Sequence, residues 1–161
     1  MPKPSWIDIC DEIVTRLNNP ADGTPPTGSY DDTLFPGYTG PLALDNDAKR
    51  GYWPEFSGLD LNKLQVLVGS HTEELGDPTS RCMSRDRNEL QVTIHIVKAF
   101  ETLEDIDAIL HLVDDIVEIV HFSKPVFAGK TSVNVLHQPI YDQDAYEHHR
   151  AIWSAPTFTL R

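Results

Sequence analysis

LQVTIHIVKAFETLEDIDAILHLVDDIVEIVHF, residues 90–122, changes its apolar period once, and that change decides the fold. Leu90, Val92, Ile94 and Ile96 recur at every second position with Gln91, Thr93 and His95 between them, the pattern of a half-buried antiparallel strand. Beyond Thr102 the apolar residues fall at Ile106, Ile109, Leu110, Val113, Ile116, Val117 and Val120, the spacing that lines one side of a helix. Thr102 is the expected N-cap, with Asp105 placed to complete a capping box. At about 1.5 Å per residue this helix spans roughly 30 Å, enough to cross a small sheet. Packing its apolar face on Val92 and Ile94 is the expected core.

Length and composition narrow the classes. A chain of 161 residues suits one domain with a real core. No run approaches the roughly 20 apolar residues of a membrane span, and MPKPSWIDIC lacks a signal-peptide pattern, so a soluble protein made in the cytosol is expected. Cys10 and Cys82 stand in no metal-type or redox-type spacing and read as reduced thiols, Cys10 in the core. The net charge of -12 argues against sequence-specific DNA binding, which depends on clustered Lys and Arg. It is compatible with a wall past which DNA slides without sticking.

Outward from the central stretch, residues 5–18 form a short amphipathic helix with Trp6, Ile9, Cys10, Ile13, Val14 and Leu17 on one stripe. Pro20 to Leu59 holds half of the prolines and most of the glycines, has no sustained period, and reads as a long irregular loop. Ordering its 40 residues costs on the order of 40 to 80 kcal/mol of backbone entropy. Its ten large apolar side chains return roughly 15 to 30 kcal/mol if fully buried. The segment therefore cannot fold as an island, and must lie on the body, lie on a neighbouring chain, or stay mobile. Leu64, Val66 and Val68 mark a strand ending at Gly69 that pairs with the strand at Leu90. Val133 and Val135 suggest a third, and the tail RAIWSAPTFTLR a fourth, broken at Pro156. The expected class is α+β: an antiparallel or mixed sheet of about four strands with one long and one short helix on one face, in a single domain over 1–161.

No phosphate-binding glycine loop, nucleophile elbow, HExxH helix or paired-cysteine motif occurs. Two histidine groupings have metal-like spacing: His111 with Asp115 one turn on, and His148 and His149 beside Asp142 and Asp144. Solvated or hydrogen-bonded histidines are the simpler reading. Cys82 near Arg81, Arg85 and Arg87 has no evident base and reads as a loop thiol. Two charge features stand out. Glu104, Asp107, Asp114, Asp115 and Glu118 form an acidic stripe, with no Lys or Arg between Lys98 and Lys124. Asp114 and Glu118, four apart, repel by a few tenths of a kcal/mol. The triplet Arg81, Arg85, Arg87 concentrates positive charge in an acidic chain. Both read either as solvated faces or as halves of a charged contact.

The element order, together with Ser84-Arg85 in a polar loop, LQVTIHIVKAF, TLEDIDAILHLVDDIVEIV and the closing YDQDAYEHHRAIWSAPTFTLR, resembles the tail terminator or tail completion proteins of long-tailed phages. The resemblance spans residues 5–17 and 64–161. It implies a structural virion protein of the neck, without catalysis, cofactor or metal, made in the host cytoplasm. Such a protein forms a ring of identical subunits, commonly six, that caps the tail tube and joins it to the head-side connector. DNA then passes through the lumen without specific contact, and the partners are the chain itself, the tube protein and the connector protein. On that footing Arg81, Arg85 and Arg87, the acids Asp107, Asp114 and Glu118, and the loop aromatics Tyr52, Trp53 and Phe56 are the candidate contact residues. Two alternatives from other classes are a small metal-binding protein or enzyme using the histidines, and a monomeric adaptor binding through the aromatic loop.

Overall fold

A computed structural model describes residues 6–18, 48–51, 60–69, 89–122, 124–137 and 143–161. The change of period at Thr102 is borne out: strand β3 (Leu90–Ala99) leads into helix α2 (Leu103–Val117). The capping box is complete, with the Asp105 amide donating to Thr102 Oγ1 and the Thr102 amide donating to the Asp105 carboxylate. Two amides at the start of the helix are thus satisfied by side chains three residues away. Helix α1 (Trp6–Asn18) also follows its apolar stripe, burying Ile9, Cys10, Ile13 and Leu17.

The sheet is larger than four strands, and it is mixed. Strands β1 (Lys49–Arg50), β2 (Gln65–Gly69), β4 (Ser132–Leu136), β5 (Ala151–Ser154) and β6 (Thr157–Leu160) join β3 in the order β1-β2-β3-β6-β4, with β5 also on β3. All pairings are antiparallel except β1 with β2. One side of β3 is shared: its first half pairs with β6 and its last residues with β5. The interruption expected at Pro156 separates these two strands. There the Pro156 carbonyl accepts from the Ile94 amide at 3.0 Å, so the break leaves β3 satisfied.

Three further expectations are corrected. Strand β3 is not half-buried: Thr93 and His95, on the face opposite Ile94 and Ile96, are each only 1% exposed. The helices are also not confined to one face. α1 and α2 cover Val66, Val92, Ile94, Ile96 and Phe158, whereas α3 (Gln143–His149), a helix not anticipated, sets Ala145 against Val97 and Trp153 on the other side. The region 20–59 is not wholly irregular either. Ala48 is buried, Lys49 and Arg50 add a parallel edge to β2, and the Gly51 amide donates to the Val68 carbonyl at 3.0 Å. These residues belong to the domain's own sheet.

After Val117 the helix widens into a π-helical turn, Glu118–Phe122, which buries Ile119 and Val120 and packs against β4. One extra residue per turn re-aims the side chains that follow. His121 Nδ1 then lies 2.7 Å from Ser132 Oγ at the start of β4, while Phe122 is left 60% exposed.

Candidate interaction surface

Helix α2 presents to solvent what its buried face leaves over. Glu104, Asp107, His111, Asp114 and Glu118 are all exposed, opposite the buried Ile109, Leu112, Val113, Ile116 and Val117. The spacing 107, 111, 114, 118 sets these side chains in one row along the helix. Acids at Glu104 and Asp105 complement the dipole of the first turn, but Asp114 and Glu118 crowd the negative end, where no basic residue stands in the last turn. Local stability alone would favour a cation there. The three acids of the row in the expected contact set, Asp107, Asp114 and Glu118, thus share one accessible face.

Asp115 departs from the stripe to which it was assigned. It is half-buried, and its Oδ2 finds no hydrogen-bond partner among the described residues. Burial, and then the neighbouring Glu118, push its carboxyl from the ordinary 3.8 up to about 6. His137, just past β4, also has a buried Nδ1 without a partner among the described residues. Its pKa is lowered by burial, against an upward pull from Asp114.

A pH test follows from Asp115. Because its folded pKa lies above the unfolded value, the fold holds this proton more tightly than the unfolded chain does. The benefit is complete below about 3.8, fades as pH rises through about 6, and becomes a constant penalty above. Asp115→Asn is therefore expected to gain melting temperature over the native protein as both are moved from pH 4 to pH 7. An unchanged difference at the two pH values would mean that the carboxyl is solvated.

Among the described residues the histidine groupings do not assemble a metal-binding set. His148 Nδ1 lies 2.7 Å from Asp144 Oδ1, and His149 Nε2 lies 3.9 Å from Asp144 Oδ2, all three side chains being well exposed. Asp144 and His148 meet because α3 is a helix and they are one turn apart, which a strand would not allow. Among the described residues no group of three or more His, Cys, Asp or Glu is placed to hold an ion. Asp142, Cys82, the arginines Arg81, Arg85 and Arg87, and the aromatics Tyr52, Trp53 and Phe56 lie outside the described residues. Cys10 is buried and stands in no disulfide.

Comparisons of the chain with protein-family models, curated proteins and solved structures return no match. Among the described residues no helix is long and apolar enough to cross a membrane. The geometry therefore carries the functional reading.

One surface was missed from sequence. Strand β4 ends the sheet, and Val133 and Leu136 are 47% and 67% exposed there, with Val126 and Phe122 also exposed nearby in the chain. A register shift between Ser132 and Asn134 marks a bulge at Val133, so Val135 packs on the core while Val133 does not. Nothing in SVNVL announces a bulge, and alternation alone would have sent both valines inward.

Proposed function

We propose that the protein is a structural subunit of a phage neck: a tail terminator or tail completion protein whose copies form a ring, commonly of six, capping the tail tube and meeting the head-side connector. The observation that carries this reading is the exposed row Asp107, Asp114 and Glu118 along α2, acidic to its very end against the helix dipole. Like charge kept where it costs stability suits a face that meets a basic surface on another chain. The sequence of the same chain carries basic residues that could meet it, Arg81, Arg85 and Arg87. Two different patches of opposite sign on one chain are what a head-to-tail ring requires. The net charge of -12 over the whole chain suits a lumen that DNA crosses without adhering.

The test is assembly, followed by light scattering and by imaging of negatively stained particles. The native chain is expected to form closed rings at high concentration or on tail tubes. Arg85→Glu and Asp114→Lys should each weaken ring formation about tenfold, the effect of roughly 1.4 kcal/mol lost at a contact repeated around the ring. Rings that form equally well with either reversal would remove the proposed pairing, and a chain that stays monomeric with tube and connector proteins present would remove the ring.

A further inference from the structure

We propose that His95 and Trp153 form an acid-sensitive latch: protonation of the His95 imidazole at Nδ1 breaks its contact with the indole and releases helix α3 from the sheet. Both side chains are almost out of water, His95 at 1% and Trp153 at 2% exposed. The indole Nε1–H donates to His95 Nδ1 at 3.2 Å. An indole nitrogen is a donor only, whereas an imidazole nitrogen accepts only while it carries no proton. A proton on Nδ1 therefore sets N–H against N–H inside the fold, and places a positive charge where burial disfavours it. The contact matters to α3 because Ala145, the one buried residue of that helix, packs in a cluster with Val97 and Trp153. The other attachments among the described residues lie at the rim. Tyr146, 40% exposed, stacks on Phe100 with ring centroids 5.3 Å apart, and the exposed Arg150 donates to the Glu101 carbonyl at 3.1 Å. A seven-residue helix held in this way belongs to the low-stability end of a structure, where local opening comes first.

The charged and titratable groups of the elements packed around His95 fix the sign of the effect. On β3 its neighbours along the same face are Thr93 and Val97, while Lys98 alternates to the other face and donates from Nζ to the Asn62 carbonyl at 2.7 Å. Leu67 of β2 stands opposite His95, and β2, β5 and β6 contain no titratable residue. Next to Leu61, which packs on the Trp153 cluster, Asp60 and Lys63 are exposed. On α3, Asp144, Tyr146, Glu147, His148 and His149 are all exposed. His148 and His149 act in the opposite direction to His95. Once charged they pair better with Asp144, at 2.7 Å and 3.9 Å, and they suit the negative end of the helix. Acid thus tightens α3 within itself while loosening what it sits on. The docked form disfavours a proton that a free imidazole takes up near about pH 6.5. Docking is therefore complete above that value and is lost below it, by about tenfold in the docking equilibrium for each pH unit.

The latch does not depend on the ring and is tested on the full chain in solution. Nuclear magnetic resonance of the native protein is expected to find the His95 imidazole neutral at pH 7, with its proton on Nε2. Hydrogen exchange, corrected for the intrinsic rate, then gives the opening constant of residues 143–149 between pH 7 and pH 5. It should rise by about tenfold for each pH unit below about 6.5, while α2 stays protected. His95→Gln offers an amide oxygen in place of Nδ1 and takes up no proton, so opening of α3 should become independent of pH. Trp153→Phe is the second variant. It removes the donor that opposes protonation, so the His95 imidazole should titrate closer to 6.5 than in the native chain, a readout that lost packing alone does not move. A native imidazole with its proton on Nδ1 at pH 7, or an opening constant that is flat between pH 7 and pH 5, would overturn the proposal. So would a rise equally steep in His95→Gln, an imidazole titration unmoved by Trp153→Phe, or α2 opening in step with α3, which is acid unfolding of the whole domain.

Discussion

Val113→Asp is expected to abolish cooperative folding at room temperature or to lower stability by several kcal/mol, measured by urea denaturation or by loss of soluble protein. Val113 is fully buried, one turn from Ile109 and Val117, and belongs to the main core with Val92, Ile94, Leu112, Ile116 and Phe158. An aspartate there would enter a site lined by aliphatic side chains. An ionised carboxylate without a partner is prohibitive in such a place, so the group would take up a proton and still lack a hydrogen bond, at a cost of about 2 to 7 kcal/mol. The loss of apolar burial adds about 1.5 to 3 kcal/mol. Set against a typical stability of about 5 to 15 kcal/mol for a whole domain, the sum is enough to unfold a marginal one. Val113→Ala is the control, expected to lose only the methyl contacts. Should the aspartate variant melt like the native protein, α2 would have to be rotated about its axis from the orientation described.

That prediction was available from the sequence because helix period and strand period are dictated by which side chains must leave water. Val92, Ile94, Ile109, Val113 and Val117 are all buried, as their spacing required. The Thr102–Asp105 box was legible for a similar reason, since its partners lie within one turn. What stayed illegible depends on contacts distant along the chain. Thr93 and His95 looked like solvent-facing residues of a half-buried strand, yet Thr93 Oγ1 is 2.9 Å from Thr157 Oγ1, and the polar face is covered. A sequence pattern records polarity, and a buried polar residue with a remote partner has the same signature as an exposed one. Helix α3 is seven residues with one buried, too short for a period to emerge. The two residues of β1 gave no strand signal inside a Gly- and Pro-rich stretch, because their pairing is supplied by β2. Of the candidate contact residues, the sequence placed Asp107, Asp114 and Glu118 on the surface correctly, but it grouped Asp115 with them, although Asp115 turns toward the body. The β4 edge was missed altogether because a bulge, not the alternation, decides which valine faces out.

The covered second face has a consequence as large as that of the main core. Trp153 is 2% exposed, sits opposite Val97 in the β3–β5 pairing, and packs with Ala145 of α3 and Leu61. Its indole Nε1–H donates to His95 Nδ1 at 3.2 Å, and the two rings meet edge to face with centroids 5.9 Å apart. Nδ1 can accept only while it carries no proton, so the contact fixes the imidazole with its proton on Nε2. Trp153→Ala is expected to cost about 3 to 5 kcal/mol through the cavity it leaves. Trp153→Phe separates packing from hydrogen bonding. It keeps most of the ring contact and removes the donor, leaving a buried imidazole nitrogen short of one partner at a cost of about 1 to 3 kcal/mol. Denaturant titration of both variants gives the two numbers, and a fluorescence change on unfolding of the native protein provides an independent probe of the same indole. A sheet bare on this side would show neither effect: the alanine variant would lose less than about 1 kcal/mol, as exposed substitutions do. With the face covered, Trp153 helps to hold α3 on the sheet, and hydrogen exchange in residues 143–149 should rise in Trp153→Ala before it rises in α2.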